Sequence, residues 1–406
     1  MTADARVDPV PQRLAIVLPG IGQHDSRTVR IARTMTDRGH EVTILARSGQ
    51  GHPPGDTIED GAHVIRVRVG SPRRLPMPAR VIDRALAVER QARAALRADP
   101  GAALYHGMAF LGLPVALRLG AEAGAPVVYD ARDIYGEART VARLPSLARS
   151  LFTARERSWA RRAAAVVTVN DLLADRLADR LGIPRPTVVM NCPPRWDPAG
   201  AWPRRFHEAL GLEPGNRIVL YHGGLEPDRG IEELLAAVPL LEPDLHVVLL
   251  GYGRLRASLQ SRIDGDPTLR ERVHLVDAVP PRELAGWVAS ADVAVAAIQP
   301  TSANHRLSTP NKLFEALGAG VPVVASDFPA MRRIVADDPA GPLGLVCDPT
   351  DPSAIAAAVG LVLGVDAGAY AALRSRCLAA AHERYAWETQ VEQLLGLYSR
   401  LTGRPW

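Results

Sequence analysis

The chain has 406 residues, of which 47% are hydrophobic and 23% charged, a composition typical of a soluble globular protein with room for two domains. Its three cysteines form no C-x-x-C pair, which argues against a disulfide framework or a cysteine zinc site and favours a reducing compartment. The N-terminus lacks an apolar signal-like stretch, and no run approaches the roughly 20 apolar residues of a membrane-spanning helix. We therefore expect a cytoplasmic protein.

The net charge of +4 is unevenly distributed along the chain. Residues 1–190 hold 28 arginines against 19 acidic residues, a net of +9, whereas residues 191–406 have a net of −5. The basic half favours peripheral contact with an anionic lipid surface at the inner face of the membrane, or with a lipid-linked acceptor. An arginine-rich solvated surface explains the charge equally well. Nucleic acid is not expected as a partner, because only 5% of residues are aromatic.

Short apolar runs alternate with helical patterns through the first half of the chain. The runs predict buried strands at 14–18, 42–45, 64–67, 103–106, 126–130 and 165–169. Helices are predicted between them at 28–38, 80–98, 111–123, 144–163 and 171–181. Strands that alternate with helices indicate a parallel, doubly wound sheet.

The alternation is interrupted once and then resumes. Residues 191–203 contain four prolines and no hydrophobic period, which is typical of a linker. Further strands are predicted at 217–223, 246–251, 273–276, 293–298, 322–326 and 343–348. We therefore predict an α/β protein of two Rossmann-like domains facing a cleft, over residues 1–190 and 204–384. A C-terminal helix follows within 385–406, and its return to the first domain is one option.

The only lysine of the chain, Lys312, lies in the segment LSTPNKLFEALGAGVPVVAS, residues 307–326. Thr309 is a suitable N-cap and would place Pro310 at the first helical position. A cation in the first turn opposes the helix dipole, but the same position suits a phosphate bound at the helix start. Glu315 follows three residues later and can accept hydrogen bonds from ribose hydroxyls, although alone it would be read as a solvent-facing glutamate.

This segment resembles the donor-nucleotide motif of the family 4 glycosyltransferases, in the Pro-Asn-Lys form of the envelope-polysaccharide branch. The resemblance implies a GT-B fold and retaining transfer of a sugar from a nucleotide diphosphate sugar. It implies nucleotide contacts from Asn311, Leu313 and Glu315, with Glu315 holding the ribose. Leu307 stands where most family members have a second glutamate. The domain at 204–384 would then bind the donor, and the domain at 1–190 the acceptor.

A second segment, YHGGLEPDRGIEELLAA at residues 221–237, is similar to the family's glycine loop followed by a cation at a helix start. Gly223 and Gly224 would let a diphosphate approach the backbone, although Gly224 replaces the first arginine of the family pattern. Arg229 takes the cation position, and with Lys312 it would neutralise the leaving diphosphate. Considered alone, Arg229 would be an ordinary loop arginine.

The resemblance is weaker in the first domain, where YDARDIYGE at 129–137 matches a family segment whose histidine contacts the donor sugar. Arg132 occupies the position of that histidine, so it is a third catalytic candidate. A structural ion pair of Arg132 with Asp130 or Asp133 is the alternative. Asp25 is interpreted as a helix cap in preference to an acceptor contact.

Three further residues, Gly22, Asp133 and His305, are candidates for contacts with the sugar or the acceptor. Family resemblance implies that no metal is needed, and we expect no cofactor besides the nucleotide-sugar donor. Two other functions stay open: a UDP-sugar 2-epimerase of the same fold, and a catalytically silent nucleotide-binding scaffold. The stretch 143–164, in which apolar residues are interspersed with arginines, either lies on an anionic membrane or packs on its own sheet.

Overall fold

The computed structural model describes residues 11–20, 25–49, 51–68, 90–91, 93–98, 101–137, 141, 144–198, 200 and 202–406. The chain divides into two compact units. The first comprises Met1–Val189 together with Val391–Trp406, and the second comprises Met190–Gln390.

The first unit is built on an eight-stranded sheet. Its strands are Arg13–Val17 (β1), Glu41–Arg47 (β2), Gly55–Glu59 (β3), Ala62–Val67 (β4), Leu104–Met108 (β5), Val127–Asp130 (β6), Ala165–Thr168 (β7) and Thr187–Val188 (β8). They lie in the order β3-β4-β2-β1-β5-β6-β7-β8, and every neighbouring pair is parallel except β3 with β4. Its helices include Ser26–Asp37, Ala109–Ala123, Ser146–Ala160 and Asp171–Leu181, with a 3₁₀ turn at Tyr135–Glu137.

The second unit has a six-stranded sheet that is parallel throughout. Its strands are Arg217–His222 (β9), Leu245–Leu250 (β10), Val273–Val276 (β11), Val293–Ala296 (β12), Val323–Ser326 (β13) and Gly344–Cys347 (β14). They lie in the order β11-β10-β9-β12-β13-β14. Its helices are Arg205–Leu210, Ile231–Ala237, Arg256–Gly265, Pro267–Arg272, Leu284–Val288, Ala303–Leu307, Asn311–Gly318, Pro329–Val335, Pro352–Leu363 and Ala367–Glu383, with a 3₁₀ turn at Val238–Leu240.

The central strands of the second unit are buried because helices cover both faces of a parallel sheet. Val293–Ala296 and Val323–Ser326 have no exposed residue. Two residues of the predicted linker also pack into this unit: Cys192 lies in its core, and the Arg374 guanidinium lies 3.8 Å from the centre of the Trp202 ring.

The chain ends with the helix Trp387–Thr402. Its residues from Val391 onward belong to the first unit, where Leu394, Leu395 and Tyr398 are buried. Within the described part of the chain, no single helix has the length and apolar character needed to cross a membrane. The bent pair Pro352–Leu363 and Ala367–Thr402 passes that test only when both parts are counted together.

The predicted alternation of strands and helices is confirmed, apart from two short strands and one helix cap. The sequence did not indicate β3 or β8, because β3 is exposed at every residue and β8 has only two residues. The predicted cap at Thr309 is wrong: the helix begins at Asn311, since Pro310 has an extended ψ of 144° and is itself the N-cap. The helix predicted over 80–98 lies largely outside the described residues.

Candidate functional site

Two glycine-containing loops lie side by side at the carboxyl ends of β9 and β10. The amide of Gly223 donates to the carbonyl of Leu250 at 2.9 Å. A Cβ atom on Gly251 would lie 1.9 Å from the Gly223 carbonyl oxygen, so this approach requires glycine. Gly223 has a φ of +109° and lies beside the Lys312 side chain, and both Gly223 and Gly224 are exposed. The backbone next to Lys312 is therefore open to a ligand.

The helix Asn311–Gly318 begins at the same edge of the sheet. Leu313 is fully buried, and its amide donates to the Pro310 carbonyl at 3.0 Å. The Asn311 carboxamide oxygen accepts a hydrogen bond of 2.9 Å from Asn191 Nδ2. These two contacts fix the first turn of the helix, and with it the position of Lys312.

The Lys312 ammonium lies in an environment that does not favour its charge. Its Nζ atom is buried without a hydrogen-bond partner among the described residues and lies 3.4 Å from the centre of the Tyr221 ring. Burial lowers the pKa of Lys312 well below its ordinary value, Arg229 lowers it further, and Glu315 opposes the shift. An anion in contact with Nζ would offset both unfavourable effects.

Glu315 lies one turn along the same helix and is oriented by a histidine. The Nε2 atom of His222 lies 3.2 Å from Glu315 Oε2, and His222 is 2% exposed. The Glu315 side chain remains 17% exposed, so it can still receive hydroxyl groups from a ligand. His222 was not predicted as a site residue, although it is the last residue of β9 and directly precedes the two glycines.

Arg229 lies on the loop between β9 and the helix Ile231–Ala237. The loop is tightly folded: Asp228 has a φ of +66°, and a Cβ atom on Gly230 would lie 2.0 Å from the Ala297 carbonyl oxygen. Arg229 is half-buried, and its charge acts on Lys312, so the two cations share one region.

The second unit thus combines two cations, an accessible glycine backbone, a helix start and an oriented carboxylate at one sheet edge. Cations and a helix N-terminus bind phosphate oxygens, and a carboxylate binds vicinal hydroxyls. This combination suits a ribose attached to a diphosphate. His305, the candidate in this unit for a contact with the sugar or the acceptor, lies on the short helix Ala303–Leu307, with Nδ1 3.1 Å from the Gln299 carbonyl oxygen.

The first unit places Arg132 beside the helix start at Asp25. Arg132 Nη1 donates to Asp25 Oδ2 at 2.7 Å, an ion pair that the sequence did not suggest. Burial opposes the charge of Arg132, but Asp25 and Asp130 outweigh it and raise the pKa of the guanidinium. The interpretation of Asp25 as a cap is confirmed, since Asp25 Oδ1 accepts from the Thr28 amide at 2.9 Å.

Two further candidates, Asp133 and Gly22, belong to the first unit. Asp133 is exposed, three residues beyond the carboxyl end of β6. Gly22 lies outside the described residues.

A buried polar network in the first unit was not predicted from the sequence. Arg27 Nε donates to Asp130 Oδ2 at 2.6 Å, and both side chains are fully buried. His106 Nε2 lies 3.1 Å from the same oxygen, while its Nδ1 lies 2.5 Å from the Tyr398 hydroxyl oxygen. Burial would raise the pKa of Asp130, but Arg27 and His106 together hold it below its ordinary value. This network joins the C-terminal helix to β5 and β6, two residues before Arg132.

Two family models match the chain, one in each half. The glycosyl transferase 4-like domain matches residues 24–194, and the model described as glycosyl transferases group 1 matches residues 216–364. The second match contains β9 to β14, Arg229, Lys312 and Glu315.

Curated relatives match over part of their length. The chain is 28% identical over 230 residues to a D-inositol 3-phosphate glycosyltransferase of Xylanimonas cellulosilytica, covering 56% of this chain and 52% of that protein. It is 30% identical over 203 residues to a phosphatidyl-myo-inositol mannosyltransferase of Mycobacterium tuberculosis, covering 48% of this chain and 50% of that protein. The chain thus spans about half the length of the curated relatives it matches.

Solved structures match over nearly the whole chain. A sucrose-phosphate synthase from Thermosynechococcus elongatus has a TM-score of 0.75 at 21% identity and covers 97% of this chain and 99% of its own. The Anabaena protein HepE in complex with UDP has a TM-score of 0.69 at 18% identity and covers 96% of this chain and 100% of its own. These likenesses confirm the predicted GT-B fold class. Each half of the chain is thus similar to a glycosyl transferase domain, the 4-like domain in the first half and the group 1 domain in the second.

Proposed function

We propose that this protein transfers a sugar from a nucleotide diphosphate sugar to an acceptor, with retention of the anomeric configuration and without a metal ion. The observation that carries the proposal is the buried ammonium of Lys312, which has no hydrogen-bond partner among the described residues and lies near a second cation, Arg229. The relatives named as glycosyltransferases and the UDP complex of HepE support the same reaction class.

In this reaction the bond between the anomeric carbon and the diphosphate oxygen breaks as the acceptor oxygen bonds to the same carbon. Negative charge grows on the leaving diphosphate, where Lys312 and Arg229 stabilise it together with the helix start at Asn311. The acceptor proton passes to the leaving diphosphate, so the scheme needs no separate general base. In this scheme the two cations stabilise the transition state more than they stabilise the bound donor, and this difference accelerates turnover.

Glu315 binds the ribose of the donor in this scheme, and His222 positions it. The contact of 3.2 Å between His222 and Glu315 restricts the rotation of the carboxylate and leaves its exposed edge for hydroxyl groups. Arg132 and Asp133 of the first unit are assigned to the sugar or the acceptor. Arg132 is already oriented by Asp25, which restricts its reach.

The names of the relatives suggest which acceptors to test. Both curated relatives are named for inositol-containing substrates, and we extend this acceptor class, a phosphorylated or lipid-linked polyol, to the present chain. The product would belong to a glycolipid, polysaccharide or other glycoconjugate.

The test is to incubate the full chain with UDP-, GDP-, ADP- and dTDP-sugars, with and without D-inositol 3-phosphate or phosphatidylinositol, in the presence of EDTA. Mass spectrometry should detect a nucleotide diphosphate and a glycosylated acceptor, and NMR should show the anomeric configuration of the donor in the product. An isomerised donor formed without acceptor would indicate an epimerase. Nucleotide binding without turnover across an extended acceptor panel would indicate a scaffold, and an inverted product would refute retention.

A further inference from the structure

The helix Ser146–Ala160 of the first unit has two apolar faces. One face packs inward: the ring centre of Phe152 lies 4.2 Å from that of Phe110, and the ring centre of Trp159 lies 5.1 Å from it. Glu156 is buried on the same side and accepts a hydrogen bond of 2.9 Å from the Tyr129 hydroxyl. These contacts account for the attachment of the helix to its own unit.

The opposite face of this helix exposes leucines. Leu147 is 71% exposed and Leu151 is 63% exposed, and they lie one helical turn apart on the same side. Ala154 is also exposed and continues this line along the helix. We call Leu147, Leu151 and Ala154 the leucine face. Packing into the core does not explain why this face is apolar.

Arginines surround the leucine face. Arg149, Arg155 and Arg157 are exposed on the same helix, and Arg161 and Arg162 follow its last residue. Arg155 lies over the Trp159 ring, while Arg157 and Arg161 donate to the backbone carbonyls of Arg180 and Gly182. None of these five arginines forms an ion pair with a carboxylate of the described residues. The positive charge around the leucines is not neutralised within this part of the chain.

A groove runs along one flank of the same helix. It has a volume of about 790 Å³ and is lined by guanidinium groups of Arg149, Arg157, Arg176 and Arg180. Glu137 pairs with Arg176 at 2.8 Å and with Arg180 at 2.9 Å, whereas Arg149 and Arg157 have no such partner among the described residues. Ser146, Ser150 and Thr153 add hydroxyl groups to the lining, and Asp179 is its second acidic residue besides Glu137. Four arginines against two carboxylates leave the groove with an excess of positive charge. The groove suits an anionic group that accepts several hydrogen bonds.

We propose that the helix Ser146–Ala160 is a docking surface for an anionic phospholipid bilayer. The leucine face enters the boundary between head groups and acyl chains, while the surrounding arginines and the groove contact lipid phosphates. A bilayer provides a negative surface and an apolar phase within one side-chain length of each other, which is the arrangement the helix presents. A soluble polyanion would neutralise the arginines but leave the leucines in water. Burial against a protein partner would remove water from the arginines, which costs free energy.

The test measures how much of the full-length protein sediments with vesicles of phosphatidylcholine, with and without phosphatidylglycerol. We expect binding to the anionic vesicles only, weakened by added salt because the charged contacts are exposed. The double variant L147Q/L151Q should lower the partition coefficient roughly tenfold or more, since both apolar contacts are lost. The double variant R155Q/R162Q should lower it by roughly fivefold for each charge and reduce the salt dependence.

The matched control is L361Q/R333Q, which removes one exposed leucine and one exposed arginine from the second unit. It should bind vesicles as the unmodified protein does. Since the tested side chains are exposed, all three variants should keep the circular dichroism and melting temperature of the parent. Equal binding by L147Q/L151Q, or binding to neutral vesicles, would overturn the proposal. Binding to heparin in the absence of any vesicle binding would also overturn it, and would assign the arginines to a soluble polyanion.

Discussion

The Lys312 ammonium lies 3.4 Å from the centre of the Tyr221 ring and has no hydrogen-bond partner among the described residues. A ring face attracts a cation but does not replace the hydrogen bonds that an ammonium makes in water. Arg229 adds repulsion at the same place. Lys312 therefore makes the unit less stable while making it better able to bind an anion, and this exchange is common at sites that bind or transform charged substrates.

The first prediction concerns Lys312→Met, which keeps an unbranched side chain against Tyr221 and removes the amine with its charge and its hydrogen-bond donors. Turnover should fall on the order of 10²- to 10³-fold, because the lost contact is strongest when charge accumulates on the leaving diphosphate. The melting temperature should stay the same or rise, since the variant removes a buried amine that has no hydrogen-bond partner among the described residues, which is unfavourable in either protonation state. Steady-state kinetics and a thermal melt of the same preparation check both statements.

The matched control for this variant is Tyr221→Phe, which keeps the ring under Lys312 and removes the hydroxyl that donates to the Gly224 carbonyl at 2.6 Å. Its turnover should change much less than that of Lys312→Met. Full turnover by Lys312→Met, or failure of that variant to fold, would contradict the role assigned to the lysine.

A second prediction is that binding of a nucleoside diphosphate takes up protons through Lys312. The pKa of Lys312 is lowered in the protein, and a bound diphosphate would raise it again. At a pH between the pKa of Lys312 in the free protein and its pKa in the complex, the complex holds more protons than the free protein. The affinity for the diphosphate should therefore fall as the pH rises through this range. Calorimetry in buffers of different ionisation enthalpy measures the uptake, and Lys312→Met should lack that component. Identical proton uptake by both proteins would exclude this coupling.

A third prediction distinguishes the role of Glu315 in donor binding from the role of the two cations in turnover. Glu315→Ala should raise the KM for the donor far more than it lowers kcat, because a ribose contact exists both before and during the reaction. His222→Phe should produce a smaller change of the same kind, since it acts only by orienting Glu315. The exposed Glu271 of the same unit provides a control, and Glu271→Ala should leave both constants unchanged. A loss confined to kcat in Glu315→Ala would place the carboxylate in the chemical step instead.

The sequence indicated most strands because buried parallel strands consist of continuous apolar residues, as in Val293–Ala296 and Val323–Ser326. It did not indicate Gly55–Glu59, which pairs antiparallel at the sheet edge and is exposed throughout. Sequence patterns reflect burial, and an exposed edge strand therefore resembles a loop.

The same reasoning explains which site residues the sequence could indicate. Lys312 stood out because no other lysine occurs in the chain and because it lies in the first turn of a helix. The partnership of Arg27 with Asp130 spans 103 positions, and no local spacing relates two such residues. His222 lay inside a recognised motif, but its role depends on Glu315, 93 positions away.

A fourth prediction tests the buried network of the first unit. Asp130→Asn should reduce the free energy of unfolding by about 3–5 kcal/mol, because Arg27 would be left as a buried charge without its counterion. Asp171→Asn is the matched control, since it also removes the carboxylate of an arginine pair, but an exposed one with Arg185. Urea denaturation of both variants measures the difference. Equal stability of the two variants would mean that solvent reaches the Arg27–Asp130 pair.

The fifth prediction concerns two histidines at the amino ends of β10 and β11. His246 Nδ1 lies 3.0 Å from His274 Nε2, so one neutral ring donates a hydrogen bond to the other. If both rings were protonated, both of these nitrogens would carry a hydrogen and the hydrogen bond would be lost. Burial, together with a smaller effect of His246, lowers the pKa of His274 to about 4. The pKa of His246 is also lowered, first by burial and then by Arg272.

Because the folded protein holds both rings neutral, the unfolded chain binds more protons once the pH drops below the ordinary histidine value of 6.5. The contribution of this pair to the free energy of unfolding should therefore be constant near neutral pH and fall as the pH decreases from 6.5 towards 4. His274→Gln keeps a hydrogen-bonding side chain that does not titrate, so urea midpoints measured across this range should depend less on pH in the variant. His52→Gln, at a half-buried position bridged to Gly49 in the first unit, is the control and should retain the full dependence. If His274→Gln has the same pH profile as the unmodified protein, the acid sensitivity arises from other groups.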